Sequence, residues 1–555
     1  MAGGSLPLRE GDPGRPDAPR ADGPGVDRWA LAAVAVACAV LVGAAARSRS
    51  GPWGDQAVIQ LSTDRALHAG QLLGPYSRFG WSHPGPLYFY LLAGPYRALG
   101  GTGRSLVVAS VLLTAVTALV TVVVAGLLAG RCPSRWAAAV VLAELAALGP
   151  AWVSQVWNPV AIILPTTLFL LCCAGLAAGR WWALVGVVAV GSFLVQTDVS
   201  TGLLAIVVGL AALTAAVVVT VRARRPARRT EVERGTEVER GARKPGPGPT
   251  RPLAAALLLG GVLWTAPLWQ EATGAPGNLG RLVTFFRTEP AGHSLSAAVR
   301  ATAGALWPPL RGHLYAGPPG TAAAVAIVVV TFGVGIATVV VARGRWPDRV
   351  PDPSGLGAAL GGAGALGVVV GIVSAGRVTG PLFPYLVEWL SGATAATALG
   401  AVIVVTDRWG RPRARRRAPA PVAPISALAM TAAALGLAVS AVVHPPHPQP
   451  GGAQVDALWA AARPALPPPG AGPVQVALVT TSSDRWPWAA GVLADLTHAG
   501  YRATAQPSWL FLFGSQFRPS GHGAAVVWVW RPGADPPPPG REVARVGSTA
   551  VTVSS

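Results

Sequence analysis

Eleven apolar windows, most of them near the ~20 residues that a helix needs to cross a bilayer, recur along this 555-residue chain. They fall at 29–46, 105–128, 136–155, 159–178, 181–197, 201–221, 253–269, 321–342, 355–376, 386–406 and 421–443. In hydrocarbon a backbone must satisfy its polar groups within its own segment, so such a chain is expected to fold as a bundle of helices. With 52% hydrophobic and only 12% charged residues, it is neither an ordinary soluble domain nor a disordered chain. The expected fold class is mainly α: a polytopic membrane helix bundle of about 11 transmembrane helices with a small external C-terminal α/β domain.

The net charge of +20 comes almost wholly from arginine, Lys244 being the lone lysine, which suggests a high-GC genome. In a chain of this kind basic clusters are orientation signals before they are anything else, and no nucleic acid partner is expected. With the N-terminus inside, Arg131 and Arg135, Arg180, the arginines between 222 and 251, Arg343, Arg345 and Arg349, and those between 408 and 417 all face the cytoplasm. The turns near Asn158 and Asp198 hold no arginine, and all eight histidines fall on the other side. The expected location is the plasma membrane, multi-pass, with the N-terminus cytoplasmic and the C-terminus external. Residues 29–46 could be read as a signal peptide because Gly43–Ala46 is cleavage-like. Their apolar run exceeds a signal peptide's usual ~7–15 residues, which favours an uncleaved first span.

Residues 1–28, rich in Gly, Pro, Asp and Arg, read as a disordered cytoplasmic leader. The bundle is expected over 29–443, with an external loop at 48–104, a cytoplasmic linker at 222–252 containing a TEVERG tandem repeat, and a second external loop at 270–320 that forms short interfacial helices. Beyond a proline-rich connection, 453–555 alternate strand and helix patterns as a self-contained domain would. The patch Trp509–Phe513 is the expected docking surface. The four cysteines, Cys38, Cys132, Cys172 and Cys173, lie in or beside apolar spans, so neither an external disulfide framework nor a zinc set is foreseen.

Chemistry concentrates in Trp53–Gly100, WGDQAVIQLSTDRALHAGQLLGPYSRFGWSHPGPLYFYLLAGPYRALG, which carries Asp55, Asp64, Arg65, Arg78, His83 and four of the seven tyrosines. Acids, bases, prolines and aromatics there make a poor anchor and a good site. Asp55, in a Gly-Pro-Trp-Gly turn, reads equally as a site acid or as the N-cap of a helix beginning at Gln56. Arg78 suits a phosphate, with His83 nearby. Tyr76, Trp81, Tyr88 and Tyr90 could stack on sugar rings or form an interfacial belt. Glu144 and Glu388 are costly inside apolar helices and need a wet cavity or a polar partner.

An acid just after the first span, then a His-Pro-Gly-Pro-Leu-Tyr helix start and a terminal Leu-Gly, resembles the first external loop of the GT-C membrane glycosyltransferases, here of an actinobacterial type. That family includes protein O-mannosyltransferases and lipid A aminoarabinose transferases, which take sugars from polyprenyl-phosphate carriers. The resemblance implies an inverting transfer outside the membrane, with Asp55 as general base, Arg78 and His83 on the phosphate, and Tyr88 at the sugar pocket. Asn158 stands where many of these enzymes carry a second acid, and Asp198 could replace it. One carboxylate and an amide make a weak divalent site, so neither a metal nor another cofactor is expected. The implied partners are membrane lipids, the polyprenyl-phosphate-linked sugar and an envelope glycan or lipid acceptor. Two other classes remain open from the sequence: a transporter or flippase of a lipid-linked glycan, which more often shows two similar halves, and a non-catalytic envelope scaffold.

Overall fold

A computed structural model describes residues 25–47, 51–233, 248–289, 292–307, 318–342, 353–410, 422–443, 449–519 and 523–554. Residues 234–247 of the expected 222–252 linker and most of the leader lie outside them, α10 running on to Glu233. Helices α1 Arg28–Arg47, α2 Asp55–Leu67, α3 Leu87–Ala98, α4 Gly103–Ala129, α5 Arg131–Leu148, α6 Pro150–Val153, α7 Asn158–Ala161, α8 Ile163–Ala177, α9 Ala183–Thr197 and α10 Gly202–Glu233 make the first half. They are followed by α11 Thr250–Thr273, α12 Asn278–Thr288, α13 Leu295–Leu306, α14 Thr321–Ala342, α15 Pro353–Gly376, α16 Ser391–Gly410 and α17 Val422–Val443. The leader's last residues are ordered. Asp27 accepts the N–H groups of Trp29 and Ala30 at 3.0 Å each, capping α1, and takes the Arg135 guanidinium at 2.7 Å.

All eleven apolar windows are helical, and nine helices among the described residues are long and apolar enough to cross a membrane. The windows at 136–155 and 181–197 differ. The first breaks at Gly149, whose φ of 79° lies in the left-handed region open to glycine, so α5 stops after 18 residues that include Arg131, Arg135 and Glu144. The second yields a 15-residue helix, about 22 Å long at 1.5 Å per residue and short of a ~30 Å core. Helix α8 and the turn before it lie at the centre of the bundle, 94% of the span being buried, whereas only 11% of α11 is. The 270–320 loop supplies the two short helices α12 and α13.

Small residues let the later helices touch backbone to backbone, as bundles in lipid require where hydrophobic burial cannot drive helix association. A methyl group at Gly400 in α16 would lie 2.6 Å from the Gly357 carbonyl oxygen in α15. The buried Glu144 of α5 is satisfied by the hydroxyls of Thr167 (2.9 Å) and Ser391 (3.1 Å), a polar tie between α5, α8 and α16.

After α17 come α18 Gly452–Ala462, α19 Trp486–His498 and α20 Leu510–Phe513, with strands β1 Val474–Leu478, β2 Ala503–Ala505, β3 Ala525–Trp530, β4 Arg541–Val546 and β5 Thr549–Ser554. The sheet order is β2-β1-β3-β5-β4. Strand β1 runs parallel to β2 and β3, and β5 antiparallel to β3 and β4. Helix α19, which joins β1 to β2, packs on β1, β2 and β3, while α18 covers β4 and β5. The core of this unit is not made by the C-terminal residues alone. Ala57, Val58 and Leu61 of α2 are buried in the same cluster as Val476, Leu493 and Val527, while Ile59 and Ala66 of α2 belong to the core of the membrane bundle. Helix α2 is therefore a shared slab between two bodies. The Trp509–Phe513 patch makes a smaller join: Leu512 and Phe513 are buried, α20 touches α2, and Phe511 stays 49% exposed.

Candidate functional site

Asp55 opens α2 as its first helical residue, the cap being Gly54, which has no side chain to offer. The N-cap alternative is thereby set aside: an acid at this place still interacts favourably with the helix dipole, but its carboxylate is free for other work. The Tyr76 hydroxyl donates to Asp55 Oδ1 at 2.6 Å. Asp55 keeps partial access to solvent, yet so much protein crowds its carboxyl that desolvation raises its pKa, with the Tyr76 bond opposing the rise. Tyr76 sits in a short hairpin-like loop, bridged to Ser82, in which His83 N–H donates to the Pro75 carbonyl at 2.8 Å.

That loop carries His83 into a second polar group. His83, Asn158 and Asp198 are 9%, 8% and 3% exposed, although they come from three separate stretches of the chain, Asn158 opening α7. Asn158 Nδ2 donates to Asp198 Oδ2 at 3.1 Å and lies 3.4 Å from His83 Nε2. Asp198 Oδ1 caps the turn after α9 by accepting the Ser200 N–H at 3.0 Å. His83 Nδ1 accepts the Val199 N–H at 2.9 Å, so its proton belongs on Nε2. Desolvation lowers the His83 pKa, the nearby Asp198 working against it. A neutral imidazole offers a phosphate one N–H and no charge. Close approach holds the group together: a methyl group at Gly74 would lie 2.6 Å from the Gln196 carbonyl oxygen.

The structure thus gathers three of the expected residues, His83, Asn158 and Asp198, and places Asp55 one hairpin away. Arg78 points elsewhere. It is exposed, donates to the Thr379 carbonyl at 3.4 Å, and lies over the rings of Phe79 (4.8 Å) and Phe383 (5.3 Å). Tyr88 has no exposed surface and belongs to the bundle core, so it presents no face to a sugar here.

Several residues at this end went unassigned in the sequence. Tyr385 packs on Trp157 at 4.6 Å and lies close enough to Tyr76 to raise that residue's pKa further, behind the larger effects of burial and Asp55. Asn278 clamps Ser82 with two 2.8 Å bonds, accepting its N–H and donating to its carbonyl, and Glu271 caps α12 through the Leu279 and Gly280 N–H groups. The proline-glycine turn before Asn278 was the available signal. Trp486 lies edge-on to Tyr76 at 6.3 Å, and nothing local marks it.

No described protein family matches this chain, and no curated protein does. Among solved structures, ArnT from Cupriavidus metallidurans bound to undecaprenyl phosphate is similar at a TM-score of 0.41 and 12% identity, over 95% of this chain and 98% of that one. A likeness of that size carries no functional argument.

Chemically, the arrangement offers a carboxylate of raised pKa steadied by a phenol, and beside it a hydrogen-bonded His–Asn–Asp group. Among the described residues no three His, Cys, Asp or Glu side chains converge as a metal set; His83 and Asp198 approach one another at 4.0 Å with an amide as third member.

Proposed function

We propose that this chain is an inverting, metal-independent membrane glycosyltransferase that moves a sugar from a polyprenyl-phosphate carrier to an envelope acceptor outside the cytoplasmic membrane. The observation that carries the reading is the Asp55–Tyr76 pair at the mouth of the bundle, in the loop whose motifs resemble that family. Asp55 takes the proton of an acceptor hydroxyl as its oxygen attacks the anomeric carbon. The bond from that carbon to the phosphate oxygen breaks, and the polyprenyl phosphate leaves with the electron pair. A raised pKa brings the carboxylate toward the working pH, where a general base is most effective. His83, Asn158 and Asp198 supply a hydrogen-bonding floor for the sugar, and exposed Arg78 swings off the Thr379 carbonyl to meet the phosphate at the rim. Tyr88 acts only by filling the core behind that floor.

The test uses a strain lacking the protein, complemented with wild type or with Asp55→Asn. Loss of a general base typically lowers the rate by ~10²–10⁴, so the variant should leave a polyprenyl-phosphate sugar accumulated while the protein reaches normal levels. Asn keeps an oxygen for the Tyr76 hydroxyl and removes a charge that burial already disfavours. Full restoration of transfer by Asp55→Asn would falsify the reading.

A further inference from the structure

We infer that the C-terminal unit is a wall of the transfer site, and that Trp486 is a positioning residue that holds Tyr76 against Asp55. This inference rests on the proposed role of Asp55.

The contacts form a continuous chain from the sheet to the carboxylate. Arg485, 9% exposed, donates to Ser548 and Thr549 at 3.1 Å each, which fixes the start of α19 to the β4–β5 turn. The next residue, Trp486, sets its ring edge-on to Tyr76 at 78°. Pro487 then accepts the Gly54 N–H at 3.0 Å, directly beside Asp55. Trp488 completes the seam by meeting Trp53 edge-on at 5.7 Å. Aromatic pairs in this geometry gain energy beyond their buried area. The backbone before Asp55 and the ring beside Tyr76 are thus both held from the C-terminal unit.

A phenol has two torsions to lose. Without the ring of Trp486 the Tyr76 side chain can leave the carboxylate, and Asp55 loses the partner that orients its oxygens. Helix α2 can stay folded throughout, because its apolar faces are buried elsewhere, so the effect falls on turnover and not on assembly.

The full chain in proteoliposomes tests this, with a lipid extract of the deletion strain as donor at varied mole fraction and that strain's envelope fraction as acceptor. Misplacing a catalytic group by about 1 Å costs up to about a hundredfold. Tyr76→Phe and Trp486→Ala should therefore each lower kcat roughly ten- to hundredfold with the donor KM unchanged, and the double variant should be no slower than Tyr76→Phe alone. Trp486→Phe, which keeps a ring, should restore most of the rate. Wild-type kcat in Trp486→Ala overturns the inference, as does a double variant whose loss is the product of the two, or a Trp486→Phe as slow as the alanine variant. Asp55→Asn runs alongside. If it is inactive while Trp486→Ala is normal, only this inference fails; if it is fully active, the proposed function fails first.

Discussion

Tyr76 opposes what burial does to Asp55, and the sign of that opposition can be measured. A carboxylate base works when ionised, so transfer declines as pH falls through its pKa. The phenol donates to the ionised form and lowers that pKa, against the larger effect of desolvation. In Tyr76→Phe the acid limb of the rate profile should move to higher pH; a limb that stays put or moves down would show that the phenol does not tune the carboxylate. A second acid gives a stability test. In α19, burial followed by repulsion from Asp456 pushes Asp495 from an ordinary 3.8 up to about 8. The folded state therefore holds a proton that the unfolded chain gives up. Stability is greatest below about pH 4 on this group's account and is lost as pH rises toward about 8. Melting temperature should fall across that window in wild type and fall less in Asp495→Asn. Equal slopes in the two proteins would contradict the assignment.

Helices that lie in lipid were legible, since their apolar runs are written within single segments, and so were β1 and β3, whereas the three-residue β2 was not and β4 and β5 read as one stretch. Helix α2 was not. Its mixed sequence, DQAVIQLSTDRAL, carries Ala57, Val58 and Leu61 for one core and Ile59 and Ala66 for another, a division visible only once both partners are in place. The same limit hid Tyr76, which in the sequence offered a ring for stacking and in the structure offers a hydroxyl to Asp55. His83, Asn158 and Asp198 could be named singly but not as one group, because their meeting depends on three stretches far apart in sequence. Leu61, 2% exposed, is where the second face of α2 can be tested. Leu61→Ala removes a side chain from a packed core and should cost about 2–5 kcal/mol, whereas Phe511→Ser on the exposed part of the Trp509–Phe513 patch should change stability by no more than ~0.5 kcal/mol. Thermal melts of the full chain in detergent compare them. The C-terminal fragment 453–555, self-contained by its pattern, should melt below the full chain because it lacks this helix face.

At the scale of the molecule, the residues just discussed lie at one end of the bundle, and Asp27 with Arg135 lies at the other. The arginine partition predicts that the second end is cytoplasmic. Reporter fusions after residue 240 and after residue 460 should accordingly report cytoplasmic and external positions, and identical reports would end this topology. The shared helix α2 has a further consequence in time. Asp55 leaves the ribosome more than four hundred residues ahead of Trp486, an interval of roughly 20–90 s at ordinary rates of synthesis. Throughout it one face of the helix lacks a partner that has not yet been made. A chain released between residues 443 and 455 would hold every described membrane helix and, on the proposed reading, leave the Asp55 carboxylate uncovered. On the proposed reading, the segment made last closes the site that was made first.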